Sequence, residues 1–336
     1  MQGTGTEGTI YPLTFEPVFR DYIWGGRRLE TLLGRDLPPG IVAESWDISG
    51  HPDSPTRVAA GYWKGRLLPE VMAELGTALV GTHSADMLAR GRFPLLVKLL
   101  DANQDLSVQV HPDDAYAAVY ENGEIGKTEM WYVLHAEPGY ALIHGVKPGV
   151  TRAAFRAAIE RDAIADLLNR VPVSAGDAID VRAGTVHALL AGAVVAEIQQ
   201  TSDVTYRVYD WGRVGHDGKP RPLHIDRALE VIDFRPSPGP VPPQTITETE
   251  SLCRQLLVRR PQFTVERLIL EPTATYTGTC DGSTFEIWGC MAGECSVGWA
   301  GDPISLPAVH FFLLPATLGA FTVTPKGRST LLRIYV

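Results

Sequence analysis

The sequence predicts a mainly β protein in which sandwiches of short strands are interrupted by a few helical insertions. The 33 glycines and 25 prolines are spread throughout the 336 residues, as is typical of many short strands joined by turns. Apolar and polar residues alternate in segments such as 178–181 and 194–199, which are separated by Gly184 and Gly192. Beyond residue 255 one strand-like segment follows another, a pattern that suits a β-sandwich.

Composition argues against several classes of protein. The chain carries 30 Lys and Arg against 39 Asp and Glu, and this negative balance argues against a nucleic-acid partner, which would need a basic face. No apolar run approaches the ~18 to 20 residues of a membrane helix, and the polar N-terminus lacks the features of a signal peptide. We therefore expect a cytoplasmic protein with no membrane association and no obligate protein partner. Its four cysteines are expected to be reduced and partly buried.

The organisation of the chain predicts two domains. A Pro-rich stretch, which is stiff and poorly suited to a core, separates a longer N-terminal region from a strand-rich C-terminal region. The predicted boundaries are a flexible tail at 1–9, an N-terminal domain at 10–234, a linker at 235–250 and a C-terminal β domain at 251–336.

Two stretches of the N-terminal domain predict helices. In the first, at about 66–90, Val71, Leu75 and Leu79 repeat at helical spacing. The second, at about 151–170, begins at Thr151, a favourable N-cap residue. We expect this second stretch to be split in two, because apolar residues repeat at helical spacing behind Asp162.

Four polar side chains at strand ends predict a metal site. Alternate residues of a strand share a face, so Gln109 and His111 point the same way. Glu129 opens another apolar strand, and a turn at Gly184 delivers His187 to a third. Two His, one Glu and one Gln could bind a divalent metal. A single carboxylate leaves the ion net positive, which favours Zn²⁺ acting as a Lewis acid, one per chain.

Several charged residues lie in apolar segments near these ligands. Glu197 lies in an apolar strand, where an unpaired carboxylate is costly and where a raised pKa would suit a general base. Arg207 follows ten residues later, and Lys98 and Lys127 are similarly out of place for solvated lysines. Three cations beside a metal predict an anionic substrate, and a phosphate fits best.

Other interpretations of these residues remain open. Glu197 and Arg207 could form a structural ion pair, and each histidine taken alone could be an ordinary core or surface residue. Two His and a carboxylate also describe the facial triad of a non-haem iron oxygenase, although a fourth protein ligand and the cationic surroundings argue against it. A protein that binds a sugar phosphate without catalysis is a third class.

Taken together, the motifs resemble the type I mannose-6-phosphate isomerase family, a zinc-containing branch of the cupins. The resemblance spans about residues 12–233, and its segments are FEPVFRDYIWGG (15–26), ESWDIS (44–49), FPLLVKLLDA (93–102), LSVQVHPDD (106–114), GKTEMWY (126–132), AGTVHA (183–188), EIQQTSDVTYRVYD (197–210) and LHI (223–225). It implies cupin-type jelly-roll β-sandwiches, with 10–234 as the catalytic domain.

The resemblance also implies roles for individual residues. Gln109, His111, Glu129 and His187 match the zinc ligands of the family, and Arg207 matches its catalytic arginine. Lys127 matches a proposed active-site lysine, Glu197 a proposed base, and Ser107 and Lys98 are weaker matches for phosphate or sugar contact. The implied activity interconverts mannose 6-phosphate and fructose 6-phosphate through a cis-enediol intermediate.

Overall fold

The computed structural model describes residues 9–214 and 218–336 of the chain. The predicted tail at 1–9 lies outside the described residues except for Thr9. Within this part of the chain the α-helices are α1 (Arg28–Thr31), α2 (Leu68–Leu75), α3 (Thr77–Val80), α4 (Ala85–Ala89), α5 (Asp114–Tyr120), α6 (Arg152–Glu160) and α7 (Ile225–Val231). Two 3₁₀ turns occupy Thr82–Ser84 and Ile164–Leu167.

Strands make up most of the regular structure, so the mainly β class is confirmed. They are β1 (Phe15–Glu16), β2 (Val18–Arg20), β3 (Glu44–Ile48), β4 (Arg57–Val58), β5 (Leu95–Ala102), β6 (Val108–Val110), β7 (Glu129–Ala136), β8 (Ala141–Val146), β9 (Leu168–Pro172), β10 (Ala178–Val181), β11 (His187–Ala188), β12 (Ala193–Gln200), β13 (Tyr206–Tyr209), β14 (Gln244–Glu248), β15 (Leu252–Arg259), β16 (Thr264–Leu270), β17 (Tyr276–Cys280), β18 (Glu286–Ala292), β19 (Glu294–Gly298), β20 (Ile304–Pro307), β21 (His310–Leu314), β22 (Gly319–Pro325) and β23 (Ser329–Tyr335).

These strands form two pairs of larger sheets and the short pair β1–β4. One pair consists of a six-stranded sheet, ordered β10-β7-β12-β5-β3-β2, and a five-stranded sheet, ordered β13-β6-β11-β8-β9. Val133 and Val195 of the first sheet share a core with Val108 and Leu142 of the second. This packing of two sheet faces around an apolar core is that of a β-sandwich.

The C-terminal strands form a second sandwich. Its sheets are ordered β14-β15-β16-β23-β18-β21 and β17-β22-β19-β20. Leu268, Trp288 and Leu331 of one sheet share a buried cluster with Val297 and Val323 of the other. The strand-rich pattern predicted beyond residue 255 is therefore confirmed, and β14, within the predicted linker, adds an exposed edge strand that pairs with β15.

The two helical stretches have different outcomes. The first contains α2, α3, a 3₁₀ turn and α4, and glycines at positive φ separate its helices. In the second, the Thr151 hydroxyl accepts a hydrogen bond from the amide of Ala154 at 3.2 Å and caps α6 as predicted. The predicted second helix is wrong: residues 168–172 form β9, which pairs with β8. Pro172 disfavours helical backbone at Val171, and β8 supplies the hydrogen bonds that the segment needs.

The described residues form two compact units, each assembled from separate stretches of chain. One comprises residues up to 18, 46–97 and 242–336, and the other comprises 19–45 and 98–241. The switch after residue 241 falls within the predicted linker, whereas 46–97, which we expected in the N-terminal domain, belongs to the unit with the C-terminal strands. The linear division predicted from the sequence therefore stays a prediction.

Among the described residues, every helix is too short or too polar to cross a membrane.

Candidate metal centre and adjoining cavity

Neighbouring strands bring the predicted metal ligands together. In the five-stranded sheet, Gln109 of β6 pairs with His187 of β11 on one side and with Arg207 of β13 on the other. His111 follows β6 directly, and Glu129 begins β7 in the six-stranded sheet. Gly184, at φ +83°, donates its amide to the carbonyl oxygen of His111 at 2.9 Å, so the turn before β11 is tied to the end of β6. Each of these residues lies on or directly beside a short strand or a strand end, where the sequence predicted it.

Three of the four predicted ligands form a compact buried group. The donor atoms of His111, Glu129 and His187 all lie within 4.8 Å of one another. His111 Nε2 is 3.6 Å from Glu129 Oε2, and His187 Nε2 is 3.4 Å from Glu129 Oε1. All three side chains are about 1% exposed. The arrangement offers two imidazoles and one carboxylate to a single point.

The hydrogen bonds that both histidines make through Nδ1 leave Nε2 as the atom able to bind a metal. His111 Nδ1 lies 2.8 Å from the carbonyl oxygen of Val204, and His187 Nδ1 lies 2.8 Å from that of Thr185. A carbonyl only accepts, so each Nδ1 carries the proton and each Nε2 keeps its lone pair. Burial lowers the pKa of His111 well below its ordinary value and that of His187 to about 3, so both rings are neutral at neutral pH.

The chemistry of this group fits a divalent cation. His111 Nε2 is buried and has no hydrogen-bond partner within the described part of the chain. It faces a carboxylate oxygen across 3.6 Å, and two acceptor atoms at that distance need a positive ion or a donor between them. Neutral imidazoles oriented by backbone carbonyls, together with one carboxylate, are an ordinary donor set for zinc.

Gln109 lies beside the group but presents its amide nitrogen to it. Nε2 of Gln109 is 3.3 Å from Nε2 of His187, and Oε1 accepts a hydrogen bond from Ser107 Oγ at 3.3 Å. Rotating the amide by half a turn exchanges the two atoms, and the Ser107 hydroxyl can accept as well as donate. Ligation by Gln109 requires that rotation, so Ser107 is the side chain that sets the orientation of the amide.

Lys127 contacts the carboxylate of the candidate centre. Its Nζ lies 3.1 Å from Glu129 Oε2, and both side chains are buried. Burial alone would lower the pKa of Lys127, but the carboxylates of Glu129 and Glu197 outweigh it and raise that pKa above its ordinary value. Burial raises the pKa of Glu129. Lys127 is therefore a fixed positive charge, which suits charge stabilisation better than proton abstraction.

Glu197 and Lys98 lie together in the same interior. Glu197, 3% exposed on β12, accepts a hydrogen bond from Trp131 Nε1 at 2.8 Å through Oε2. Its Oε1 is 3.8 Å from Lys98 Nζ, which is also 3.5 Å from Glu44 Oε2. The indole thus fixes one carboxylate oxygen, the lysine lies beside the other, and Glu197 is part of the cavity wall. The alternative pairing of Glu197 with Arg207 is not among the ion pairs of the described residues.

Arg207 is half-buried on β13 and has unused hydrogen-bonding capacity. Its Nη1 donates to the carbonyl oxygen of Pro222 at 3.1 Å. Its Nε is buried without a hydrogen-bond partner within the described residues. Burial lowers the pKa of Arg207, and the nearby Arg221 lowers it further. A guanidinium in such a place is prepared to bind an anion.

These residues line one cavity of about 320 Å³. Seven of the nine predicted site residues form its wall: Lys98, Ser107, Gln109, Lys127, His187, Glu197 and Arg207. The other two, His111 and Glu129, are not wall residues but both contact His187, which is one. Four basic side chains line the cavity against three carboxylates, which favours an anionic ligand.

Sequence reasoning missed four acidic or basic residues of the wall: Glu44, Asp203, Arg221 and His224. Arg221 is held by Asp210, which accepts hydrogen bonds from its Nε at 2.7 Å and its Nη2 at 2.6 Å. Asp210 also accepts one from Arg213 Nη2 at 2.7 Å. Asp203 lies six residues after Glu197 in the same segment, so its acidic side chain could have been noticed from the sequence. Arg221 lies in a loop, where no periodic pattern marks it.

Comparison with known proteins identifies the family. Residues 13–139 match the model of the catalytic domain of type I phosphomannose isomerase. A mannose-6-phosphate isomerase of Streptococcus mutans is 41% identical over 307 residues, which cover 91% of this chain and 93% of the relative. A Bacillus subtilis protein named probable mannose-6-phosphate isomerase GmuF is 36% identical over 313 residues, covering 93% and 96%.

The fold agrees with these sequence relationships. The crystal structure of the mannose 6-phosphate isomerase from Bacillus subtilis matches this one with a TM-score of 0.86 at 33% identity, covering 97% of this chain and 99% of that chain. Because such isomerases are cupin-type proteins, the predicted cupin-type fold is confirmed. The chain belongs to the type I mannose-6-phosphate isomerase family.

Proposed function

We propose that this chain is a zinc-dependent aldose–ketose isomerase that interconverts mannose 6-phosphate and fructose 6-phosphate. The observation that carries the proposal is the buried His111–Glu129–His187 group at the wall of a cavity lined by four basic side chains. Family membership points the same way, because relatives at 36–41% identity bear this activity in their names. The reaction moves a proton between C1 and C2 of the opened sugar through a cis-enediol.

His111, Glu129 and His187 would hold one Zn²⁺, with Gln109 as the fourth ligand once its amide is turned. When bound, the ion supplies a Lewis acid that polarises the oxygens of the sugar. Ser107 favours the required amide orientation when its hydroxyl accepts from Gln109 Nε2. The two backbone carbonyls that hold the Nδ1 protons keep both imidazoles aimed inward.

Glu197 is the base in this proposal. It takes the proton from C2 of the aldose and returns it to C1, and the reverse direction uses the same atom. Its Oε2 is fixed by Trp131 at 2.8 Å, and Oε1, which lies 3.8 Å from Lys98 Nζ, is the oxygen that would take the proton. One carboxylate can exchange a proton with two neighbouring carbons when it is held on one face of the sugar.

The cations of the cavity offset the negative charge that develops on the enediol oxygens and the charge of the phosphate. Lys127 and Arg207 are the catalytic cations of the proposal, and Lys98 is a substrate contact that also orients Glu197. We further propose that Arg221, beside Arg207, contributes to the phosphate contact, with Ser107 available for the sugar. Arginine suits this role because its planar fork matches the oxygens of a phosphate.

The proposal is tested by turnover of the purified protein with mannose 6-phosphate and with free mannose, under air and under anaerobic conditions. We expect fructose 6-phosphate to form equally well without oxygen, with about one zinc bound per chain. A chelator should stop turnover, and added Zn²⁺ should restore it.

Two outcomes would contradict the proposal and favour its alternatives. Stoichiometric iron with consumption of O₂ would indicate a cupin oxygenase, whose chemistry needs open positions on the metal. Binding of mannose 6-phosphate without any product in a coupled assay would indicate a non-catalytic sugar-phosphate-binding cupin.

Asp210→Asn tests the anion-binding part of the proposal. Burial alone would raise the pKa of Asp210, but hydrogen bonds from Arg221 and Arg213 lower it below its ordinary value, so the carboxylate is ionised. Without that charge Arg221 loses its anchor. We expect KM for mannose 6-phosphate to rise about tenfold, which corresponds to the loss of one charge-assisted contact. We expect kcat/KM for free mannose to be smaller than that for mannose 6-phosphate. It should change by no more than about twofold in the variant, since free mannose has no phosphate.

A matched control is Asp233→Asn, which removes an exposed Asp–Arg pair with Arg235 away from the cavity. It should leave both substrates unaffected. An equal loss for mannose 6-phosphate and mannose in Asp210→Asn would mean that Asp210 supports the general shape of the site instead of the phosphate contact.

The cytoplasmic location and the lack of nucleic-acid, membrane and obligate protein partners stay predictions from the sequence.

A further inference from the structure

His224 is a titratable residue of the cavity wall that the proposed reaction leaves without a role. It is the N-cap residue of α7. Its backbone amide donates to the carbonyl oxygen of Arg207 at 2.7 Å, and its ring Nδ1 accepts a hydrogen bond from the backbone amide of Arg207 at 3.2 Å. Two hydrogen bonds to one residue therefore fix the imidazole beside Arg207.

These two hydrogen bonds extend a row of residues that crosses the five-stranded sheet. The row runs from His187 of β11 through Gln109 of β6 to Arg207 of β13, which is the edge strand. His224 bonds to the amide and the carbonyl of Arg207, so it takes the place that a residue of a further strand would have. Neighbouring strands are about 4.8 Å apart, and His224 therefore lies about three such spacings from the candidate metal ligand His187.

The same contacts decide which ring nitrogen can bind a ligand. A backbone amide only donates, so Nδ1 of His224 accepts from Arg207 and carries no proton. A neutral imidazole then keeps its proton on Nε2, which makes no hydrogen bond within the described part of the chain. Burial, and then the charge of Arg207, lower the pKa of His224, in agreement with a neutral ring. The ring thus offers one N–H donor to a ligand of the cavity.

The neighbours of this donor favour an anion. Arg207 and the nearby Arg221 line the cavity beside it. A neutral N–H donor adds a directed hydrogen bond to an anion without adding repulsion to the two guanidinium groups. In a six-carbon sugar phosphate, the phosphate on C6 is at the opposite end from C1 and C2. A sugar whose C1 end lies at the metal centre would therefore place its phosphate at the outer end of the row, where His224 lies.

We propose that the Nε2–H of His224 donates a hydrogen bond to the phosphate of the substrate and so helps to select a phosphorylated sugar over a free one. The inference rests on the proposed isomerase function, because that function supplies the sugar phosphate. His224 is a substrate contact through Nε2 and a positioning residue for the Arg207 backbone through Nδ1. Because the two roles use different ring nitrogens, substitution can separate them.

Two variants of the zinc-loaded full chain test the two nitrogens one at a time. In His224→Asn, the amide oxygen takes the place of Nδ1 and can accept from the Arg207 amide, but the Nε2 donor is lost. In His224→Gln, an amide N–H takes the place of the Nε2 donor, and the Nδ1 acceptor is lost. By calorimetry, we expect the asparagine variant to bind inorganic phosphate about tenfold more weakly and the glutamine variant to stay within about threefold of the unchanged chain.

Steady-state kinetics should show a matching difference between the two sugars. In His224→Asn, KM for mannose 6-phosphate should rise about tenfold, while kcat, and kcat/KM for free mannose, stay within about twofold. An equal loss with both sugars would show that His224 only positions Arg207 and would overturn the proposal, as would unchanged phosphate binding. His310→Asn is the matched control, because this exposed histidine also bonds to the backbone through Nδ1, 2.8 Å from the carbonyl oxygen of Ala308, and does not line the cavity.

Phosphate binding is measured without turnover, so failure of this inference and failure of the proposed function can be told apart. Weaker phosphate binding by His224→Asn in a chain that forms no fructose 6-phosphate would contradict the isomerase function and support the phosphate contact. If a variant fails to fold, a crystal structure of the unchanged chain with mannose 6-phosphate decides alone. A phosphate oxygen within hydrogen-bond distance of His224 Nε2 would support the proposal, and a phosphate bound elsewhere would overturn it.

Discussion

Glu197→Gln will reduce isomerisation of mannose 6-phosphate by about 10²- to 10⁴-fold, the usual contribution of a positioned general base. Glutamine keeps the shape of the side chain and can still accept the hydrogen bond that Trp131 Nε1 donates at 2.8 Å. It cannot accept a proton from carbon. Since Glu197 does not contact the His111–Glu129–His187 group through any described hydrogen bond, the metal content should not change. Steady-state kcat/KM and the exchange of the substrate C2 proton with solvent measure the effect.

Glu74→Gln is the matched control for this change. Glu74 also accepts a hydrogen bond from an indole, that of Trp63 at 2.9 Å, but it lies in the other compact unit. The Glu74→Gln variant should turn over mannose 6-phosphate at the same rate as the unchanged chain. Retained C2 exchange in Glu197→Gln would show that another group is the base. Lys127 is then a poor replacement because its raised pKa keeps it protonated, so Asp203, on the wall of the same cavity, would be tested next.

Strand periodicity explains why much of the site could be predicted from the sequence. Gln109 and His111 are two residues apart on one face, and Lys127 and Glu129 repeat this spacing, so each pair meets the interior together. Glu197 could be recognised because burying an unpaired carboxylate in an apolar strand is energetically costly. Strand pairing then adds His187, which lies opposite Gln109, and completes the buried group of His111, Glu129 and His187.

Long-range packing and loops account for what the sequence did not predict. Arg221 enters the cavity wall because Asp210 holds it, and no local pattern reports a partner eleven residues away in a loop. Residues 168–172 became strand β9 because β8 offered an unpaired edge, although their spacing also fits a helix. The grouping of 46–97 with the C-terminal strands likewise depends on contacts between distant parts of the chain.

Arg207→Ala will lower kcat by about 10²- to 10³-fold while the bound zinc stays at its normal level. The reason lies in the wall of the cavity: the Nε of Arg207 is buried with no hydrogen-bond partner in the described part of the chain, so it is available to a ligand. A negative charge that grows on the substrate oxygens during proton transfer gains more from this guanidinium than the ground state does. The loss therefore belongs in kcat. Metal analysis and steady-state kinetics on the same preparation measure both quantities.

Arg207→Lys separates charge from geometry, because it keeps the positive charge and loses the planar fork, and its activity should lie between those of the alanine variant and the unchanged chain. Arg156→Ala, which breaks an exposed pair with Asp226 at 2.7 Å, should be neutral and serves as the control. If Arg207→Ala instead raises KM for mannose 6-phosphate and leaves kcat intact, the guanidinium binds the phosphate equally in the ground state and the transition state. Lys127, at 3.1 Å from Glu129, would then be the cation that stabilises the enediol.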